Sequence, residues 1–385
     1  MLTIQRIINP LVAPDWRPKL KPVMLQHGLM SSSVDWVINS VQVKPEVYPK
    51  PNGTSGQVDE QPGRAQLTGD SQEHPNSLGF YLANQGYDVF LGNSRGNIYG
   101  SRHLNMSSSN LEFWDFSFDE QIKHDLPDTI EFILKLSKHS KLAYVGHSQG
   151  TVMMFGLLAD QPQYADIVEP FVALAPVAYC DNSRSPVKYF SIYTPLFQHI
   201  NMWFATPNAA LRYLGPLVCG PKVVRRDICA NIVFLSVGFD EAELDDSRIS
   251  AYLSHMPSGT SVKNIAHYGQ EIISKRFAHF DHGLLANQML YGQAKPPDYD
   301  LSKIRSKSIV LFTAENDWLA SPKDVARLRS SLTVEPYAVF NITQFKPNWN
   351  HIDFVYGKHA GQLVNSRIIE VFEHFRNQEA TTDEQ

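Results

Sequence analysis

The stretch KLAYVGHSQGTVMMFGLLAD, residues 141–160, holds Ser148 between Gly146 and Gly150, with an apolar β-branched run before it and a second apolar run after it. A serine so placed can be a nucleophile. A strand that meets G-x-S-x-G and continues as a helix turns so sharply that the serine backbone is strained and its hydroxyl leaves the sheet edge. A side chain at either glycine would collide with a neighbouring strand or helix. The helix that follows aims its positive end at the hydroxyl, where an oxyanion would develop. Chance produces the pattern in about one chain in ten of this length. The strand before it and the helix after it, rather than the pattern alone, therefore make Ser148 the candidate nucleophile.

A serine hydroxyl becomes reactive only when a histidine takes its proton and a carboxylate orients that histidine. On this strand–turn–helix scaffold the partners follow in the order Ser, Asp, His, each at the end of a later strand. After KSIVLFTA comes ENDWLASPKDVARL, with Asp317 just past the strand. Glu315 is the competing carboxylate, and Asp324 sits in a helical first turn where the dipole accounts for it. The next run, AVFNITQF, leads into KPNWNHIDFVYG and places His351 in the loop, while His359 and His374 read as solvated. An oxyanion hole requires two backbone N–H groups. Gln149, the residue after the nucleophile, offers one, and Leu29 in PVMLQHGLMSSSVDW the other; on its own His27-Gly28 reads as an ordinary turn.

Six short apolar runs must position these residues: 22–28, 87–93, 141–147, 171–177, 307–314 and 338–345. Between most of them lie amphipathic segments with helix stop signals, such as SLGFYLANQG and DLPDTIEFILKLSK. Apolar strands alternating with helices predict an α/β fold, a mostly parallel sheet covered on both faces. Residues 178–303 break the rhythm, being rich in aromatics and Pro, and read as a mainly helical cap over the C-terminal sheet edge, where α/β folds bind ligands. The core is then 1–177 with 304–385. Residues 40–75, dense in Pro, Gly, Gln and charge, read as a disordered insertion. Phe190, Tyr193, Leu196, Phe197, Trp203 and Phe204 in the cap suit either an acyl groove or lid, or the cap's own core.

With 385 residues and 43% hydrophobic content, the chain can bury a large core. Its net charge of -5 and lack of a basic run speak against nucleic acid as a partner. No apolar run reaches the roughly 18 residues of a membrane span. Three cysteines without a CxxC speak against a disulfide framework, a zinc site or a thioredoxin-like motif, and no metal or cofactor is expected. The sequons at Asn52, Asn105 and Asn341 are as many as composition alone would supply.

Together, LQHGLMSSSVDW, PNSLGFYLANQGYDVFLGNSRGN, EFWDFSFDEQIKHDLPDTIEFI, YVGHSQGT, VGFDEAELDDSRISAYLSHMPSGTSVKNIAHYGQ, ENDWLASPKDV and NHIDFVYG resemble the acid lipase family of α/β-hydrolases. The resemblance implies hydrolysis of neutral lipid esters, triacylglycerol or steryl ester, at a lipid–water interface, with Ser148, Asp317 and His351 as triad and Leu29 and Gln149 as oxyanion donors. It also implies a Cys219–Cys229 disulfide, a free Cys180, and a secreted or lysosomal protein. The family's secretory leader has no counterpart before the strand at MLTIQRI, which reads as an N-terminally incomplete sequence, and the 40–75 insertion matches nothing in the family. Two other readings are a short-chain carboxylesterase on the same scaffold and a catalytically inactive lipid-binding relative.

Overall fold

The computed structural model describes residues 1–39, 75–204 and 234–383. The 40–75 insertion, apart from its last residue, and the Cys219 and Cys229 pair lie outside the described residues. All six apolar runs are strands of one sheet: β2 Pro22–Gln26, β3 Asp88–Leu91, β4 Leu142–His147, β5 Val168–Leu174, β8 Ile309–Thr313 and β9 Ala338–Asn341. A seventh strand, β1 Gln5–Ile7, pairs antiparallel with β3 at one edge, and every other pairing in the order β1-β3-β2-β4-β5-β8-β9 is parallel.

The central strands are buried on both faces, which is why they read as unbroken apolar runs rather than alternating ones. Helices supply the cover. These include α1 Leu78–Asn84, α2 Leu126–Ser137, α3 Gln149–Asp160, α6 Pro322–Ser331 and α7 Ser366–Asp383. Helix α2 carries Pro127 as its second residue and stops at Lys138 in the left-handed region (φ 62°). A π-helical turn, Gln121–Asp125, precedes it. Helix α3 is buried along nearly its whole length, so its periodicity is weak in sequence although it is regular in space.

Among the described residues the segment between β5 and β8 holds a 3-10 run Pro186–Tyr193 and the helices α4 Val262–Ser274 and α5 Leu284–Tyr291. The segment also contains strands. Two-residue strands β6 Trp203–Phe204 and β7 Thr260–Ser261 form a small antiparallel ribbon, too short to leave an apolar run in the sequence. Ser261 then caps α4, its hydroxyl accepting from the Asn264 N–H.

Candidate active site

Sheet register brings the first two parts of the site together. Strands β2 and β4 are neighbours with Gln26 opposite Gly146, so the loops that leave them emerge side by side. One loop carries Gly28 and Leu29, the other Ser148. A Cβ on Gly28 would lie 3.2 Å from Ser148 Cβ and from His147 Nδ1, so the glycine is what permits the close approach.

Ser148 has φ 52° and ψ −114°, far from the regions a non-glycine residue ordinarily occupies. The glycines around it are sterically required. A Cβ at Gly150 would stand 2.4 Å from the Gln26 carbonyl oxygen on β2, and one at Gly146 would stand 2.7 Å from the Gly150 backbone. The carbonyl of Ser148 is held by the Thr151 N–H at 2.8 Å and the Thr151 hydroxyl at 2.6 Å, and its N–H donates to Leu174 O at 3.1 Å. Gln149 opens α3, and the first N–H groups of a helix have no intrahelical acceptor. Neither the Leu29 nor the Gln149 N–H has an acceptor among the described residues.

The other two residues arrive from farther along the sheet. β8 lies two strands from β4 and β9 three; at about 4.8 Å per strand, the loops after them must reach back roughly 10 and 14 Å. They meet there. His351 Nδ1 lies 2.9 Å from both oxygens of Asp317, and both residues are buried. Because the carboxylate accepts, Nδ1 carries the proton and Nε2 is left as the basic nitrogen. Asp317 also accepts from the N–H groups of Leu319 and Ala320 at 2.9 and 2.8 Å, which fixes the carboxylate plane. The carbonyl of His351 accepts from His147 Nε2 at 2.9 Å, so the base is tethered to the residue before the nucleophile.

The competing residues lie elsewhere. Glu315 is exposed and accepts from Asn341 Nδ2 at 3.3 Å, while Asp324 pairs with the Ser321 cap and the Asn182 amide. His374 is on the surface as expected. His359 is not simply solvated: its Nδ1 lies 2.9 Å from the fully buried carboxylate of Glu243, a partner that no local pattern announces.

Three supports of the site were not read from the sequence. His27 Nε2 accepts from the Ser94 N–H and from Asn97 Nδ2, both at 3.1 Å, so its Nδ1 donates to Gly28 O at 2.7 Å. Burial lowers its pKa to about 4, and the neutral ring braces the Leu29 loop. A second support is Val237, whose carbonyl accepts from the N–H groups of Trp318 and His351 at 3.3 and 3.5 Å. Next to it Gly238 O accepts from Asn350 Nδ2 at 3.0 Å, and Phe239 O from Asn316 Nδ2 at 2.9 Å. This short segment thus spans the acid loop and the base loop. The third is Asp35, whose carboxylate accepts from the Ser31 and Tyr356 hydroxyls behind the Leu29 loop. Burial pushes its pKa up to about 6. Only the Gln-His-Gly-Leu order hinted at the first, and nothing local marks the others.

Comparison with known proteins agrees with this fold. An alpha/beta hydrolase fold model matches residues 62–204, and a model for a partial alpha/beta-hydrolase lipase region matches residues 1–40. Gastric triacylglycerol lipase of Bos taurus is 37% identical over 90% of this chain and 78% of its own length. Human lysosomal acid lipase/cholesteryl ester hydrolase is 35% identical over 92% of this chain and 80% of its own. The chain belongs to the acid lipase family of α/β-hydrolases. Another relative, human lipase member K, is 34% identical and aligns over 97% of the chain and 85% of its own length. At the level of fold, a solved structure from Sulfolobus solfataricus superposes with a TM-score of 0.54 at 12% identity, covering 97% of this chain and 94% of that one.

Proposed function

We propose that this acid lipase family member is a serine-dependent lipase that hydrolyses neutral lipid esters, triacylglycerol or steryl ester, through an acyl-enzyme. The observation that carries the reading is the His351–Asp317 pair, held at 2.9 Å and tied by the His351 carbonyl to His147 beside the strained serine. In the first step Ser148 Oγ bonds to the ester carbonyl carbon, its proton passes to His351 Nε2, and the carbonyl π pair becomes an oxyanion. The backbone N–H groups of Leu29 and Gln149 receive that charge, each worth about 3 kcal/mol to the transition state. Collapse expels the alcohol, which takes the proton from His351. Water then attacks the acyl-enzyme by the same route and releases the fatty acid. The neighbouring histidine does not compete as base, because burial lowers the pKa of His147 to about 3 and its Nε2 proton is committed to the His351 carbonyl.

Residues 178–303 act as the cap in this reading, with 1–177 and 304–385 as the hydrolase core. Of the apolar cap residues, Tyr193, Leu196 and Trp203 are exposed among the described residues and Phe197 and Phe204 half-buried, which favours a lipid-facing role over a core one; nothing is assigned to the Phe190 side chain. Among the described residues no helix is long and apolar enough to cross a membrane. The relatives are gastric and lysosomal lipases, and we assign the chain to the same secreted or lysosomal setting. The reading is tested by comparing emulsified long-chain triglyceride, cholesteryl ester and soluble butyrate ester as substrates of the wild type and of Ser148→Ala. We expect turnover of the emulsified esters and its loss in the variant. Hydrolysis confined to butyrate would move the chain to the short-chain esterases, and turnover that survives Ser148→Ala would overturn the mechanism.

A further inference from the structure

Gln149 enters the mechanism through its backbone, yet its side chain is buried, with 2% of the residue exposed. A glutamine amide so placed must find partners, since each orphaned polar group costs about 1–3 kcal/mol. Three hydrogen bonds hold it. Oε1 accepts from Asn264 Nδ2 at 2.9 Å and from the Tyr268 hydroxyl at 3.1 Å, and Nε2 donates to Gln121 Oε1 at 2.9 Å. Asn264 and Tyr268 are four residues apart on α4, hence on one face of that cap helix. Gln121 opens the π-helical turn of the core. Asn264 is itself fixed, its N–H donating to the Ser261 hydroxyl and its Nδ2 to Thr260 Oγ1, each at 3.0 Å.

The peptide that presents the Gln149 N–H follows Ser148, whose backbone lies in a sparsely populated region. Such a conformation persists only when its surroundings over-determine it. Thr151 fixes the carbonyl side of that peptide, and the side-chain anchor of Gln149 fixes the other. A displacement of about 1 Å at a reacting centre can cost on the order of 100-fold in rate. We propose that Asn264 and Tyr268 are positioning residues: they hold the Gln149 side chain so that its backbone N–H stays aimed at the ester oxygen, making the oxyanion hole depend on the docking of cap helix α4. The inference rests on the reading of Ser148 as nucleophile and the Gln149 N–H as oxyanion donor.

The test uses the full chain with Asn264→Ala, Tyr268→Phe, Gln149→Met and the Gln149→Met/Asn264→Ala double variant, assayed on a soluble butyrate ester. Each is also titrated with a trifluoromethyl ketone, which adds Ser148 to form a tetrahedral oxyanion, and with the matching unactivated alkyl ketone, which does not. Asn264→Ala should lower kcat about 10-fold with KM within about twofold, and should weaken the trifluoromethyl ketone by the same factor while sparing the alkyl ketone. Tyr268→Phe, which removes a single oxygen, should lower both by about two- to threefold and serves as the measurement if Asn264→Ala fails to fold. With Gln149→Met already present, Asn264→Ala should add less than about twofold, because the tether it breaks is gone. Unchanged kcat and ketone discrimination in Tyr268→Phe and Asn264→Ala would overturn the inference. So would a full Asn264→Ala effect in the Gln149→Met background, which marks a merely structural residue. Retained hydrolysis by Ser148→Ala would instead remove the underlying mechanism, so the two failures are distinguishable.

Discussion

Asp317 does two jobs with one carboxylate: it accepts the His351 Nδ1 proton and the two N–H groups at the start of its own loop. An amide at the same position keeps the shape and loses the preference for the correct imidazole tautomer. Asp317→Asn should therefore lower kcat by about 10⁴ with little change in KM, as the equivalent change does in other serine triads; steady-state kinetics on butyrate ester checks it. Asp35 sets a pH dependence of a different kind. Its carboxyl is raised from 3.8 to about 6 by burial, so the folded protein binds a proton that the unfolded chain has already released in that window. Stability on this account falls as pH rises from about 4 to about 6 and is level above it, a change of about 3 kcal/mol. Asp35→Asn should flatten that part of a plot of Tm against pH, and an unaltered slope would assign it to other groups.

Elements place these residues by contacts that are invisible in any one segment. Substituting Gly150→Ala puts a Cβ 2.4 Å from the Gln26 carbonyl, where backbone meets backbone and neither side chain can yield. The variant should lose about 2 kcal/mol or more of stability, read from urea denaturation, and should label poorly with a serine-directed probe. The strands, α3 and the elbow were legible because buried parallel strands and G-x-S-x-G leave local signatures. That Asp317 and His351 would meet was legible because this fold sets its proposed acid and base at the ends of later strands. The Val237–Phe239 brace was not, since its function is carried by main-chain carbonyls that accept from Trp318, His351, Asn350 and Asn316, and its one sequence mark is Gly238, whose φ of 116° and 2.3 Å approach of a would-be Cβ to the Asn316 carbonyl oxygen exclude a side chain. Nor was the pairing of His359 with Glu243, which lies more than a hundred residues away in sequence. The ribbon of β6 and β7 escaped because two residues cannot show a period.

Across the whole molecule, the segment between β5 and β8 that we propose as the cap presents apolar side chains to solvent that a core would have claimed. Among the described residues Ile192 is 69% exposed and Leu196 60%, on adjacent turns of the same stretch. Each gains about 1.5–3 kcal/mol when fully buried in an apolar phase. Ile192→Ser with Leu196→Ser should then reduce hydrolysis of an emulsified triglyceride about 10-fold and leave soluble butyrate within about twofold. Equal losses on both would mean that these side chains support the cap rather than meet lipid. The sequence showed the aromatic richness of this region without saying which residues face outward, because helix faces there are set by packing against the core rather than by a clean polar stripe.

The central claim, that Ser148 is the nucleophile of an ester hydrolase, is tested most directly by reacting the folded protein with a fluorophosphonate and locating the adduct by peptide mass spectrometry. The account requires one adduct, on Ser148 in the peptide that contains GHSQG, forming in step with loss of ester hydrolysis and absent in His351→Ala. Loss of hydrolysis with the adduct on another residue, or full hydrolysis by protein labelled stoichiometrically at Ser148, would contradict it.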